Sequence, residues 1–276
     1  MKIKSLIQQD GPTVAALTHD LEVERRKVSA LAGARQGAVK VVKTNKNTFK
    51  FALYGDTHVG SLWCAYPEWQ AFYEFAEEQG VEDFYHCGDV LSGFRVFRGH
   101  EFEVKDLGLD KQLERFAEKA PRIGKTHFIT GNHDLSYKVG AGASVGKSIS
   151  ELRPDWTFLG DEQARITYKA GGQDFNIMLQ HPGGGTAYAI SYKIQKAIES
   201  LEGGTKPNII AQGHYHKAEW LPCYRNICGF QTGTFEWQTP FEARQGIAAH
   251  VGGWIVEVAV GNKWNSVTAN FLAFYR

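Results

Sequence analysis

Five short stretches of this 276-residue chain set imidazole, carboxylate or amide groups beside glycine. They are GDTH with Asp56 and His58, CGD with Asp89, GNHD with Asn132 and His133, QHPG with His181, and GHYH with His214 and His216. These residue types suit borderline transition ions such as manganese, iron, zinc, nickel or cobalt better than magnesium alone. Asp56, His58, Asp89, Asn132, His181, His214 and His216 are too many for one ion. They suit two ions that share one carboxylate, the arrangement used for in-line displacement at phosphorus. A lone histidine is more often a packed structural group than a ligand, but a whole set at equivalent positions is not explained that way.

The positions are equivalent because each stretch ends a predicted strand. From Thr48 onward strands alternate with helices: strands over 48–56, 81–89, 125–134, 175–185 and 207–216, and helices over 67–80, 109–121 and 186–204. Pro67 opens the first helix and Gly80 closes it. In alternating β/α chains, functional groups gather at the carboxyl ends of the strands, held rigidly by a buried element yet reaching the surface. Gly55, Gly88, Gly131, Gly183 and Gly213 allow sharp turns and close backbone approach there. The tail reads as two hairpins, 219–235 turning at Arg225-Asn226 and 252–276 turning at Gly261-Asn262. The stretch 91–107 has no period and reads as a loop beside Asp89.

Residues 1–47 differ. Short helical patterns flank the breaker Asp10-Gly11-Pro12, with Thr13 as a cap, and resemble a helix-turn-helix. No acidic residue occurs from Arg25 to Lys50, whereas Arg25, Arg26, Lys27, Arg35, Lys40, Lys43, Lys46 and Lys50 are basic. Such a block serves either as a DNA-contacting arm or as a solvated appendage. The chain therefore divides into a small basic helical segment, 1–47, and a domain spanning 48–276. Net charge is +1, which marks no partner by itself. No apolar run is long enough to span a bilayer, and a cytoplasmic location is expected. Cys64, Cys87, Cys223 and Cys228 have no zinc-site spacing and are expected as free, buried thiols.

The ordered series GDTHVG, GDV, GNHD, QH and GHYH resembles the motif series of the calcineurin-like metallophosphoesterases, over about residues 49–240. The resemblance implies an α/β fold: a four-layer αββα sandwich of two mixed β-sheets flanked by helices. It implies one ion on Asp56, His58 and His216, a second on Asn132, His181 and His214, and Asp89 bridging them with a water or hydroxide that attacks phosphorus. It assigns His133 to the phosphate and the leaving oxygen, with Asp134 orienting it. Manganese is the expected metal.

The stretch AGASVGKS, 141–148, fits a loose phosphate-loop pattern. Its flanks lack the buried strand and the long helix such a loop needs. It reads instead as a short helix starting near Ser144 or Gly146, with Lys147 on the surface. The expected substrate is a phosphodiester in nucleic acid, with DNA as a candidate partner through the basic arm and through Arg95, Arg98 and His100 beside Asp89. GDTHVGS resembles the opening motif of the repair nucleases of this superfamily, although the residues after His216 are expected to form strands that complete the core sheets rather than the sizeable capping domain of those enzymes. A phosphomonoesterase acting on nucleotides or phosphoproteins, and a DNA-binding protein with a vestigial core, remain the alternatives.

Overall fold

The computed structural model describes residues 39–44, 46–204 and 206–276. The helix-turn-helix reading falls on residues outside this range. Two six-stranded mixed sheets form the body. One sheet contains β2 (Thr48–Tyr54), β3 (Asp83–Cys87), β4 (Lys125–Thr130) and β5 (Trp156–Asp161) in parallel, extended by antiparallel β11 (Gly252–Val260) and β12 (Asn265–Ala273), in the order β12-β11-β2-β3-β4-β5. The other contains β1 (Val39–Lys43), β6 (Gln163–Ala170), β7 (Gln173–Gln180), β8 (Ile209–Gln212), β9 (Ala218–Tyr224) and β10 (Ile227–Thr232), in the order β1-β6-β7-β8-β10-β9.

Side chains that alternate along the strands assign each layer its neighbour. Phe51, Leu53, Tyr85, Cys87 and Ile129 face the second sheet and meet Ile166, Ile177, Leu179, Ala211 and Phe230 in one buried cluster. Their neighbours Ala52, Tyr54, Phe84 and Phe128 point the other way. That outer face is covered by the helices α1 (Tyr66–Glu78), α2 (Leu109–Lys119), α3 (Asn132–Ala141) and α4 (Val145–Leu152). On α1 the buried residues Trp69, Phe72, Tyr73 and Ala76 recur at helical spacing. On the far side, Met178 and Ile210 meet Ile194 and Ile198 of α5 (Tyr192–Ser200). Each of these large side chains contributes about 1.5–3 kcal/mol of burial. A one-residue slip would turn a whole strand inside out, so register is strongly held. The four-layer αββα sandwich is as expected.

Several elements differ from the sequence reading. Val39–Lys43, placed with the N-terminal segment, is a strand paired in parallel with β6, so the sheet starts before the expected boundary at 48. The helix expected over 186–204 is only Tyr192–Ser200, because the Ile190 carbonyl accepts from the Gln231 side chain (3.0 Å) and Tyr188 is fully exposed. The strands Trp156–Asp161 and Gln163–Ala170 and the helix Asn132–Ala141 were not anticipated. The tail after His216, read as strands only, also contains a short helix, α6 (Pro240–Gln245). All four cysteines are free, but only Cys87 and Cys228 are buried, and Cys223 is exposed. Among the described residues no helix is long and apolar enough to cross a membrane.

Candidate metal centre

The carboxyl ends of β2, β3, β4, β7 and β8 meet at one edge of the sandwich, and the seven expected ligands come with them. Five of these, Asp56, His58, Asp89, His214 and His216, have φ between +45° and +80°. Non-glycine residues avoid this left-handed region, and each such residue costs on the order of 1 kcal/mol or more unless its surroundings hold it. Here they do. The Asp56 backbone N–H donates to the Gly88 carbonyl (2.9 Å), and its own carbonyl accepts from Thr234 Oγ1 (2.7 Å). The His214 N–H donates to both Asp56 carboxylate oxygens (2.9 and 3.0 Å). The strain turns the side chains inward.

Hydrogen bonds also settle which histidine nitrogen faces the centre. His181 Nδ1 donates to the Cys87 carbonyl (2.7 Å), which leaves Nε2 at 3.2 Å from Asp89 Oδ2 and 3.1 Å from Asn132 Oδ1. His214 Nε2 donates to the Gly184 carbonyl (2.8 Å), which leaves Nδ1 for the centre. His216 Nδ1 donates to Glu242 Oε1 (2.7 Å), and its Nε2 lies 3.1 Å from His58 Nε2 and 3.6 Å from Asp56 Oδ1. Three groups, each with mutually close ligand atoms, result: Asp56, His58 and His216; Asp89, His181 and His214; and His58, Asp89 and His133. Asp89 belongs to two of them. Imidazole nitrogens and carboxylate and amide oxygens thus converge, a set of ligand types that fits two divalent cations.

The electrostatics point the same way. Burial by itself would raise Asp89, but His181, His133 and His58 hold its carboxyl well below the ordinary value. Burial would lower His181 and His216. Asp89 overrides it for His181, raising that ring to about 9, and Glu242 with Asp56 overrides it for His216, raising it to about 10. Burial pushes His58 well down and His214 to about 4. A buried site that draws protons this strongly onto some ligands draws divalent cations by the same field.

His133 sits one residue into α3. Its N–H donates to Asp89 Oδ1 (2.8 Å), and its Nδ1 donates to the Ser92 carbonyl (2.6 Å), which leaves Nε2 free. Burial holds its pKa below the ordinary value. Asp134, expected to orient this ring, does not touch it. Its carboxylate accepts the backbone N–H groups of Val90, Leu91 and Gly131 (3.1, 2.8 and 2.9 Å) and so ties the loop after Asp89 to the start of α3. The orienting partner of His133 is the Ser92 carbonyl.

Beyond these groups lies a cleft of about 510 Å³. His100 lines it, buried, with its ring 5.2 Å from that of His133. Arg95 and Arg98, expected beside the substrate, are exposed and outside its lining, and the Arg95 guanidinium rests over Phe94. The sequence reading missed three carboxylates on the cleft wall, Glu103, Glu236 and Glu242. Of these, Glu242 had a visible signal. Thr239-Pro240-Phe241-Glu242 is a capping-box sequence, and in α6 Thr239 Oγ1 accepts from Glu242 N while Glu242 Oε2 accepts from Thr239 N. The stretch 141–148 spans the end of α3 and the start of α4, with Ser144 preceding the helix and Lys147 exposed. No strand runs into it, so it is not a phosphate loop.

Residues 49–218 match the family model of the calcineurin-like phosphoesterases. The chain belongs to this family. Among curated proteins, this calcineurin-like phosphoesterase is similar to the DNA polymerase II small subunit of Halobacterium salinarum, in two strains, at 24% identity over 250 residues. That alignment takes in 75% of this chain and 48% of the relative, so the chain spans about half the length of the curated relatives it matches. Among solved structures, a conserved uncharacterized protein of Streptococcus pneumoniae, a predicted phosphoesterase, aligns at 14% identity and TM-score 0.38, with 81% of this chain and 98% of that one covered. Entamoeba histolytica Vps29, crystallised with zinc, aligns at 14% identity and TM-score 0.37, with 82% and 100% covered.

Proposed function

We propose that this protein is a dinuclear-metal-dependent phosphodiesterase that cleaves a phosphodiester in nucleic acid. The observation that carries the reading is the convergence of imidazole, carboxylate and amide ligand atoms on both sides of Asp89, next to a histidine, His133, whose Nε2 is free. In this reading Asp56, His58 and His216 hold one ion and Asn132, His181 and His214 the other, with Asp89 shared, and manganese is the favoured metal. Bound there, two divalent ions supply positive charge for the phosphoryl oxygens and activate water for in-line attack.

The chain's own residues do the rest. Cys87, Gly184 and Glu242 fix three imidazoles in the ligand tautomer. The Ser92 carbonyl aims His133 Nε2 into the cleft. Nε2 so placed is positioned to pass a proton to the leaving oxygen. No serine or cysteine is needed as a nucleophile. The likeness to a DNA polymerase subunit supports nucleic acid over a phosphoprotein, and the basic segment within 1–47 is proposed as the DNA-contacting arm.

The test is a rate comparison on purified, Mn(II)-loaded protein. Bis-(p-nitrophenyl) phosphate and labelled single- and double-stranded DNA are set against p-nitrophenyl phosphate and free nucleotides. Faster turnover of the diesters is expected. Turnover of monoesters alone would replace the reading with a phosphatase, and no metal-dependent turnover at all would leave a binding protein.

A further inference from the structure

A row of rings leads out of the candidate metal centre along one wall of the cleft. His58 meets His133 at 4.5 Å between centroids, His133 meets His100 at 5.2 Å, His100 meets Phe97 at 4.7 Å, and Phe97 stacks on Phe241 at 4.3 Å with 22° between the planes. Phe97 and Phe241 both line the cleft, and both keep part of their surface exposed. Their placement is tied to the metal site. The Phe241 N–H donates to Glu103 Oε1 (2.9 Å), and the next residue, Glu242, holds His216. A group resting on the two phenylalanines therefore lies at a set distance from the reacting phosphorus.

The charge of the cleft narrows what that group is. Among the described residues that line it there is no lysine or arginine, whereas Glu103, Glu236 and Glu242 are all present. Grip on a long nucleic-acid backbone comes from cations against successive phosphates. Grip on an unpaired base comes from stacking on aromatic faces and tolerates any sequence, since every base has a π-face. A cleft of about 510 Å³ has the size of a small-molecule site. Gln245 and Thr186, also on the lining, carry side chains able to hydrogen-bond.

From this arrangement, and resting on the phosphodiesterase reading, we infer that the Phe97–Phe241 wall is a nucleobase subsite. The substrate is then a single nucleotide unit presented at an unpaired strand end or in a short oligonucleotide. The interior of a duplex keeps its bases stacked and does not offer one to this wall.

The experiment compares kcat/KM for thymidine 5′-(p-nitrophenyl phosphate) with that for methyl p-nitrophenyl phosphate, which carries the same leaving group and no base. It is run on the Mn(II)-loaded full chain and on Phe97→Leu, Phe241→Leu and Phe241→Trp, each checked for an unchanged melting temperature. The wild type is expected to prefer the nucleoside diester. Either leucine variant is expected to lower that preference about tenfold, chiefly through KM, and Phe241→Trp to retain it. Equal kcat/KM for the two diesters in the wild type would overturn the subsite and leave the phosphodiesterase standing. If neither diester is cleaved, the proposed reaction falls. Calorimetry of thymidine 5′-phosphate against methyl phosphate then decides the subsite alone, and equal affinities overturn it.

Discussion

Glu242 joins two structures with one carboxylate: Oε1 accepts from His216 Nδ1 at 2.7 Å, while Oε2 accepts from the Thr239 N–H at 2.8 Å and closes the cap of α6. The residue is 6% exposed. A helix cap thereby fixes the tautomer and angle of the imidazole proposed as a metal ligand, and raises its basicity. Losing such a partner typically costs 10- to 100-fold in metal affinity. Glu242→Gln is expected to weaken binding at the Asp56–His58–His216 position by about that factor, read by metal titration with a competing chelator. Unchanged affinity would reduce Glu242 to a helix cap.

Gly131 leaves room for the shared carboxylate. A Cβ there would stand 2.2 Å from Asp89 Oδ1 and 2.6 Å from His181 Nε2. Its φ of −114° suits any residue, so the constraint is space alone. Gly131→Ala is expected to bring the metal stoichiometry from two down to one or none. Gly140→Ala, with nothing within 4 Å of the added carbon, is the control. Two ions in the Gly131 variant would mean that Asp89 and His181 do not act together.

In the proposed reaction His133 separates turnover from metal binding. Its Nε2 faces the cleft, and the seven ligands do not need it. His133→Ala is expected to keep two ions and the melting temperature, and to lose about 10²- to 10⁴-fold in kcat. Loss of an ion would make His133 a ligand, through its group with His58 and Asp89.

His86 sets a pH dependence of stability. It is fully buried, its Nδ1 accepts from Gly88 N (3.2 Å), its Nε2 donates to Thr57 Oγ1 (3.0 Å), and Thr57 Oγ1 donates to the Val90 carbonyl. A second proton has no acceptor, and burial, with His181 adding to it, lowers the ring to about 3. The unfolded chain takes up this proton below about pH 6.5 and the folded chain does not, so stability falls as pH drops from about 6.5 toward 3. At pH 5 the cost is about 2 kcal/mol. Urea unfolding of chelator-treated protein at pH 7 and pH 5 is expected to show wild type losing about 2 kcal/mol more than His86→Gln. The other buried histidines are common to both proteins and cancel. Equal losses would show that His86 is charged in the folded state.

Local rules carried some elements and not others. Phe51 to Tyr54 alternate between two buried faces, and β2 was legible from that run. Trp69, Phe72, Tyr73 and Ala76 keep helical spacing, and α1 was legible too. Gln163–Ala170 was not read, although Ala164, Ile166, Tyr168 and Ala170 alternate with polar residues and are buried, and the segment pairs with β1 and β7. Residues 186–191 kept an apolar pattern that suits a helix, yet Gln231 takes the Ile190 carbonyl and the helix starts later. Propensity is a weak prior wherever a distant side chain competes for the backbone.

For the site, the amino-acid sequence by itself supplied the candidate donors: seven residues of metal-binding type, in five glycine-containing stretches at strand ends, in an order that resembles one family. Strand periodicity is local, so it survives being read without a fold. Only the tertiary structure decided which nitrogen each histidine turns inward. It also decided that Ser92 and not Asp134 holds His133, that Glu242 stands behind His216, and that Arg95 and Arg98 stay out of the cleft. Those choices are hydrogen bonds between residues far apart in the chain. Such bonds depend on where the folded backbone brings a carbonyl or a carboxylate, and no local pattern records that.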